Sequence, residues 1–207
     1  VRGIRRARRG VSRRVGGGRG CTNDPRSFEA AAAQEPGLLL PRTIHGLSRQ
    51  QQPWFLGVGF FKPHLPFAAP RSWFDLHKST VTSLTLEVAS RPSWPSGWHE
   101  SNELMRNYGH AGRDPRTDAS YAGLLRQAHA ASVSYVDAQV GRVLAALREA
   151  GLDGSTVIVI WGDNGFLLGE HAVWGKHCLY ERAVRTPLIV RYPGLEHPGT
   201  ASAAVVE

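Results

Sequence analysis

The stretch TVIVIWGDNG, residues 156 to 165, decides the fold, because an apolar run leads directly into glycines and polar side chains. Its β-branched residues predict a β-strand. The absence of polar alternation predicts burial on both faces, as in a parallel sheet covered by helices. Two further apolar runs, residues 53 to 61 and 186 to 194, are bounded by proline and predict similar strands.

A long helix is predicted between these strands, from about residue 118 to 150, where proline is absent. Asp118 or Thr117 is a suitable N-cap, and Gly151 is a suitable stop. The apolar stripe at helical spacing consists of Ser132, Tyr135, Val136, Gln139, Val140, Val143, Leu144 and Leu147. His129 falls near this stripe, which favours a structural histidine. The order of strand, helix and strand predicts an α/β fold.

The positive charge of the chain is confined to its first residues. The net charge is +8, from 25 Lys and Arg against 17 Asp and Glu. Residues 1–20 hold eight arginines and no acid, so the remainder balances 17 basic against 17 acidic groups. The basic segment is compatible with phosphate contacts, with a transit peptide or with a terminus of no function. No nucleic-acid partner is expected for the body of the chain.

Apolar run length, cysteine spacing and the ends of the sequence also bear on the class of protein. No apolar run approaches the roughly 18 residues of a membrane span, so no transmembrane segment is predicted. Cys21 and Cys178 have no metal-site spacing and are interpreted as unrelated thiols. The chain begins at Val1 and its one methionine is Met105, which suggests a fragment or a processed product. Residues 90 to 117 are predicted to form a long irregular loop.

Asp163 and Asn164 are the first candidates for chemistry, because they lie directly beyond a predicted strand. In open α/β sheets, ligands bind beyond the carboxyl ends of strands. A carboxylate and an amide oxygen suit a hard cation such as Ca²⁺ or Mg²⁺. Gly162 and Gly165 would let both side chains turn toward one ion. The alternative is a DNG turn in which the side chains bond to nearby amides.

His64 and Lys176 are the second pair of candidates. His64 lies between Pro63 and Pro66 at the end of a predicted strand, so a general acid or hydrogen-bond donor would be held there with little freedom. A turn histidine or a P-x-x-P ligand is the alternative. Lys176 is a candidate for binding an anionic substrate, and a surface lysine is the commoner case.

Four neighbouring residues are weaker candidates. Glu170 and His171 are interpreted as a structural hydrogen-bonded pair. His177 and Cys178 would resemble a nucleophile and its base, but residues adjacent in sequence rarely face each other, so this pairing is discounted.

Three blocks of the chain resemble the sulfatase family, and most closely its iduronate 2-sulfatase branch. They are PWFLGVGFFKPHLPF, HAASVSYVDAQVGRVLAALREAGL and STVIVIWGDNGFLLGEHAVWGKHCLYERAVRTPLIVRYPG. The resemblance runs from about residue 44 to 195, in the same order of blocks. It divides the chain into an unrelated segment, residues 1–43, and a partial sulfatase catalytic domain, residues 44–207.

The resemblance implies an alkaline-phosphatase-like sandwich, with a mostly parallel central sheet flanked by helices. It implies hydrolysis of sulfate esters by a formylglycine beside a bound Ca²⁺. Asp163 and Asn164 match a pair of calcium ligands of the family. Lys176 matches a lysine that binds the sulfate. His64 matches a histidine that contacts the sulfate and protonates the leaving oxygen.

The chain also departs from the family pattern. Formylglycine arises from a cysteine in the motif Cys-x-(Pro/Ala)-x-Arg, and neither Cys21 nor Cys178 stands in it. The adjacent aspartates that form the family's first metal pair are absent, as is its other Lys/His pair. The sequence therefore predicts half of a site, and an isolated chain with little or no turnover.

Three functions follow from this reading. The leading one is a sulfuric ester hydrolase acting on a sulfated small molecule or glycan. The alternatives are a non-catalytic protein that binds anionic glycans, and a phosphoester hydrolase of the same superfamily. A lysosomal or secretory location is expected only if the chain follows the iduronate sulfatase branch.

Overall fold

The computed structural model of the protein describes residues 39–49, 53–78, 104, 108 and 112–206. Its α-helices are α1 (Leu39–Ser48), α2 (Arg71–Leu76), α3 (Ala119–Glu149) and α4 (Glu181–Val184). Its β-strands are β1 (Ile158–Trp161), β2 (Leu167–Leu168), β3 (Trp174–Gly175) and β4 (Leu188–Arg191). Two 3₁₀ turns complete the elements, Asp153–Ser155 and Glu170–Ala172. The basic segment, Cys21 and most of the expected loop from 90 to 117 lie outside the described residues.

None of the helices in the described ranges combines the length and the apolar character that crossing a membrane requires.

Helix α3 confirms the long helix predicted from sequence, including both of its ends. The Asp118 carboxylate accepts a hydrogen bond from the Tyr121 amide at 2.9 Å and caps the first turn. Arg113 donates from Nε to the same carboxylate at 2.7 Å. These two hydrogen bonds lower the pKa of Asp118 to about 2, and the bond from Arg113 has the larger effect. Gly151 follows the helix with φ +68°, the left-handed conformation that glycine adopts most easily.

Helix α1 was not predicted from the sequence. Pro41 stands in its first turn, where a missing N–H costs no intrahelical bond. Ile44 is fully buried against α3 and stabilises the helix by tertiary packing rather than by propensity. The expected division between residues 43 and 44 falls inside this helix.

The two small sheets correct the expected strand pairing. Strand β1 pairs with β4, and β2 pairs with β3, in both cases antiparallel. A parallel pair needs a crossover connection, usually a helix. The connection from β1 to β4 contains only the β2–β3 hairpin and the four-residue helix α4, so antiparallel pairing results. Burial on both faces of β1 is also wrong, because Val159 and Trp161 of the strand are exposed, as is Val157 just before it.

Residues 53 to 61 form an extended segment rather than the predicted buried strand. Exposed and half-buried side chains alternate along it, which is the period of an extended chain. Trp54 and Leu56 pack inward, whereas Phe55 and Phe61 point to solvent. No β-ladder partner is present for this segment in the described ranges.

Helix α3 carries a separate apolar cluster at each of its ends, and α1 and α2 both pack against it. Cluster one lies along its N-terminal half and contains, among others, Leu65, Phe67, Phe74, Leu125 and Trp174. Cluster two lies at its C-terminal end and contains Ile44, Ala146 and Leu147, with Ile158 of β1 packed against them. The α/β class is confirmed by this arrangement of helices and sheets.

His129 of α3 has the structural role that its position predicts. Its ring lies edge-on to the Phe67 ring, with the ring centroids 5.1 Å apart. Burial lowers the pKa of His129 below its ordinary value of 6.5, and the charge of Glu170 partly opposes this shift. The neutral ring is therefore the form that the fold stabilises.

Replacement of His129 by Gln should weaken the dependence of stability on pH in mild acid. As pH falls through 6.5, the unfolded chain binds a proton at this position before the folded chain does. The free energy of unfolding therefore falls with pH, by at most about 1.4 kcal/mol per unit, until the lowered folded pKa is passed. Urea titrations between pH 7.5 and 5 would measure the slope, with the exposed His197→Gln as control. Equal slopes of the free energy of unfolding against pH for wild type and His129→Gln would contradict the lowered pKa of His129.

Candidate functional site

Three of the four candidate residues follow β-strands, and the fourth, His64, lies in a turn. Asp163 and Asn164 come two and three positions after the last residue of β1. Lys176 directly follows β3. His64 lies in the turn that joins the extended segment to the buried Leu65 and Phe67. The prediction that polar side chains terminate the strand at Trp161 is confirmed.

The segment that carries Asp163 and Asn164 is fixed from both sides by backbone hydrogen bonds. Gly162 N donates to the Pro187 carbonyl at 3.1 Å, and Gly165 N donates to the Ala183 carbonyl at 2.8 Å. Both polar side chains between them are exposed. Over the part of the chain that the structure describes, no hydrogen bond or ion pair engages either side chain. The alternative of a turn stabilised by these side chains is therefore not the arrangement seen.

Gly162 and Gly165 leave room for neighbouring atoms, and neither supplies a special backbone conformation. Neither has the positive φ that only glycine adopts readily. A Cβ on Gly162 would lie 3.3 Å from Cδ of Pro187. A Cβ on Gly165 would lie 2.9 Å from the carbonyl carbon of Arg182 and closer still to its oxygen. Gly165 lets the chain beyond β1 approach the backbone of α4, and Gly162 lets it approach the ring of Pro187.

The β2–β3 hairpin places Lys176. Leu167 pairs with Gly175 and Leu168 with Trp174, so the chain leaves the hairpin directly into the lysine. The loop that joins β2 to β3 is tight, because three of its residues have positive φ, namely Gly169, His171 and Ala172. Lys176 is half-buried, and its carbonyl accepts a hydrogen bond from the Cys178 amide at 2.8 Å.

Arg126 of α3 holds this hairpin and was missed by sequence reasoning. Its Nε donates to the Leu168 carbonyl at 2.9 Å, and its guanidinium lies 5.4 Å from the centroid of the Trp174 ring. Burial lowers the pKa of Arg126, opposed by the charge of Glu170. Nothing in the sequence distinguishes this arginine from a solvated one, because its partners lie more than forty positions away.

Glu170 and His171 have structural partners, although not each other as expected. Glu170 Oε2 accepts a hydrogen bond from the Leu168 amide at 2.7 Å. His171 stacks on Tyr180 with ring centroids 4.2 Å apart. Cys178 is a free thiol.

The His64 side chain is oriented by its own turn. Its amide donates to the Phe61 carbonyl at 3.0 Å, and the peptide bonds before Pro63 and Pro66 are cis. Its Nδ1 lies 2.8 Å from the Leu65 carbonyl. A carbonyl only accepts, so Nδ1 carries the proton in the neutral ring and Nε2 is the basic nitrogen. This assignment fixes which nitrogen can exchange a proton with a ligand.

Lys62 closes the same turn from the other side. Its ammonium group donates to the carbonyls of His64 and Pro66. It also lies 5.2 Å from the centroid of the Phe61 ring. Together with the Nδ1 contact, these bonds hold His64 in one orientation.

The four candidate side chains do not bond to one another. Across the described ranges, no hydrogen bond or ion pair joins any two of them. Nor do the described residues contain a group of three or more His, Cys, Asp or Glu side chains arranged to hold a metal ion. The fold and these polar strand ends define an α/β protein in which candidate polar residues follow β1 and β3.

Comparisons with known proteins place the chain in a family. The Sulfatase family model matches residues 24–207. The chain is 33% identical to a sulfatase of Formosa agariphila over 70% of its own length and 28% of that protein. It is 35% identical to human iduronate 2-sulfatase over 73% of its length and 28% of that protein. The chain belongs to the sulfatase family.

A solved structure agrees with this fold. The phosphonate monoester hydrolase of Silicibacter pomeroyi superposes with a TM-score of 0.56 at 25% identity, over 77% of this chain and 33% of the hydrolase. The alkaline-phosphatase-like fold is thus confirmed.

The match to the family model begins at residue 24, whereas the resemblance seen in the sequence begins at about residue 44. The chain spans under a third of the length of the two sulfatases.

Proposed function

We propose that this chain carries one half of a site for the hydrolysis of sulfate esters. The observation that supports it most directly is the arrangement at the two strand ends. An exposed carboxylate and amide follow β1, and a half-buried lysine follows β3, in a chain of the sulfatase family. The proposed substrates are sulfated small molecules or glycans, such as an iduronate 2-sulfate.

The donor set at the end of β1 fits Ca²⁺ or Mg²⁺ in type. Asp163 offers carboxylate oxygens and Asn164 a carbonyl oxygen, which are the ligands that hard cations prefer. Both side chains are exposed and free of competing bonds across the described ranges. When bound, such a cation would neutralise charge on the sulfate oxygens. Ca²⁺ takes six to eight oxygens, so these residues alone would hold it weakly.

Lys176 and His64 would act on the ester itself. The Lys176 ammonium group would bind a sulfate oxygen as a compact positive charge. His64, when doubly protonated, would donate the Nε2 proton to the leaving oxygen while Nδ1 stays bonded to the Leu65 carbonyl. Formylglycine does not fit this chain, because Cys178 lies in CLYERA and Cys21 in CTNDPR. No nucleophilic step is therefore assigned to these residues.

A phosphoester hydrolase of the same superfamily is the second candidate. The structural similarity to a phosphonate monoester hydrolase favours it. Phosphate and sulfate are similar tetrahedral anions, and the positive charge of a lysine does not discriminate between them. Rates on paired aryl sulfates and phosphate esters would distinguish the two functions.

Isothermal calorimetry with Ca²⁺ tests the metal assignment. We expect weak binding by the wild-type chain, with a Kd on the order of 1 mM, and its loss in Asp163→Ala. Asp137→Ala, which removes an exposed carboxylate from α3, is the matched control and should bind as wild type. Equal heats for wild type and Asp163→Ala would count against the site.

Hydrolysis of an aryl sulfate by the purified chain tests the expected inactivity. Clear turnover by the wild-type chain that is lost in Lys176→Ala would contradict that expectation.

A further inference from the structure

Lys176 lies in a short loop whose two ends are held by different aromatic contacts. Trp174, two residues before the lysine, is buried, and the Arg126 guanidinium lies 5.4 Å from its ring centroid. Tyr180, four residues after the lysine, stacks on His171 with ring centroids 4.2 Å apart and an angle of 17° between the ring planes. We call residues 175–179 the lysine loop, which therefore spans two anchored aromatic side chains.

The Lys176 side chain does not fix its own position. Over the described part of the chain, no hydrogen bond or ion pair engages its ammonium group. Within the lysine loop, the Cys178 amide donates to the Lys176 carbonyl at 2.8 Å. Leu179 is 92% exposed, so its side chain adds little packing. The placement of the ammonium group therefore depends on the two ends of the loop.

His171 carries its ring at a strained backbone position. Its φ is +54° and its ψ is +26°, in the left-handed region. Glycine adopts this region most easily, and few residues with a side chain do. Such strain persists only where the surrounding structure holds it. The stack on Tyr180 is the contact that gives the ring a role at this position.

Tyr180 also joins the lysine loop to the segment of Asp163 and Asn164. It precedes the first residue of α4, and its carbonyl accepts a hydrogen bond from the Ala183 amide at 2.8 Å. The Ala183 carbonyl in turn accepts a hydrogen bond from Gly165, directly after Asn164, at 2.8 Å. The stacked pair is thus connected through α4 to the candidate metal ligands.

We propose that His171 and Tyr180 are positioning residues for Lys176. Their stacked rings close the lysine loop and hold the ammonium group in one place relative to Asp163 and Asn164. The proposal rests on the proposed function, because the anion bound by Lys176 is what benefits from this placement. A loop held at one end only would have to be ordered when the anion binds, which costs affinity.

Reactivity of the Cys178 thiol tests the closure of the loop without reference to sulfate. Cys178 is half-buried, so its reaction with Ellman's reagent is accelerated when the loop opens. In a Cys21→Ser background, Tyr180→Ala and His171→Asn should raise the rate about fivefold or more, whereas Tyr180→Phe keeps the ring and should stay within about twofold. Tyr192→Ala, which removes a tyrosine that is 46% exposed beyond β4, is the matched control and should leave the rate unchanged.

Titration with inorganic sulfate, followed by NMR at constant ionic strength, tests the positioning itself. We expect Tyr180→Ala and His171→Asn to weaken sulfate binding about fivefold, while Tyr180→Phe binds as the wild-type chain does. Lys176→Ala should abolish the binding. Native circular dichroism spectra establish that each compared variant is folded, and His171→Asn serves if Tyr180→Ala is not.

The two measurements separate the proposal from the function on which it rests. Unchanged thiol reactivity in Tyr180→Ala and His171→Asn would overturn the loop closure, as would equal effects of Tyr180→Ala and Tyr180→Phe. A faster thiol reaction with undiminished sulfate affinity would show that the stack does not position Lys176. Sulfate binding that is absent or survives Lys176→Ala would instead contradict the proposed function, and the thiol rates would still decide whether the stack closes the loop.

Discussion

Gly165→Ala should destabilise the protein by about 3 kcal/mol or more, the upper end of overpacking effects. The added methyl group would collide with the Arg182 carbonyl, whose carbon lies 2.9 Å from the ideal Cβ position. A backbone carbonyl cannot turn aside as a side chain can. The segment around α4 would have to move, which breaks the bond from Gly165 N to the Ala183 carbonyl. Urea denaturation followed by circular dichroism measures the loss.

Gly141→Ala is the matched control for this substitution. Gly141 lies in the interior of α3, and no atom outside the local helix lies within 4 Å of its added Cβ. Alanine is favoured over glycine in a helix by roughly 1 kcal/mol, so this variant should be more stable than wild type. Similar shifts of the urea midpoint in the two variants would contradict the close approach at Gly165.

Phe67→Ala should cost about 4 kcal/mol of folding free energy, because it opens a cavity in cluster one. Phe67 is 1% exposed. Its ring packs edge-on against Phe166, with centroids 5.5 Å apart, and against His129. These contacts join the turn of His64, the start of the hairpin and α3. The loss therefore reaches two of the candidate site segments at once.

Phe55→Ala removes the same ring from an exposed position. Phe55 is 89% exposed in the extended segment, so its truncation should change the free energy of unfolding by no more than about 0.5 kcal/mol. Both variants are compared by urea unfolding at pH 7.5. A loss of similar size in both would show that cluster one is not the core of the protein.

The elements that the sequence predicted correctly are those specified by local signals. Helix α3 has an N-cap at Asp118, a long run without proline and a glycine stop at Gly151, and each is visible within a few residues. The end of β1 before Asp163 is likewise marked by adjacent glycines. Local chemistry also indicated where the polar strand ends lie. Their roles in binding remain predictions.

The features that escaped prediction depend on partners distant in sequence. The antiparallel pairing of β1 with β4 follows from the connection between them, which apolar patterning does not reveal. Arg126 contacts a carbonyl 42 positions away. Gly165 is needed because of the carbonyl of Arg182, and not because of its own backbone angles. Such requirements become visible only when the folded neighbours are in place.

The placement of the two apolar clusters at opposite ends of α3 has a mechanical consequence. Phe166 packs on cluster one, and Ile158 packs on cluster two. Asp163 and Asn164 therefore lie on the short span of chain between two residues that are packed at different ends of the same helix. Long helices curve gently around the core that they cover, so the curvature of α3 sets the distance between these two packing positions. The helix thereby constrains where the span can place Asp163 and Asn164.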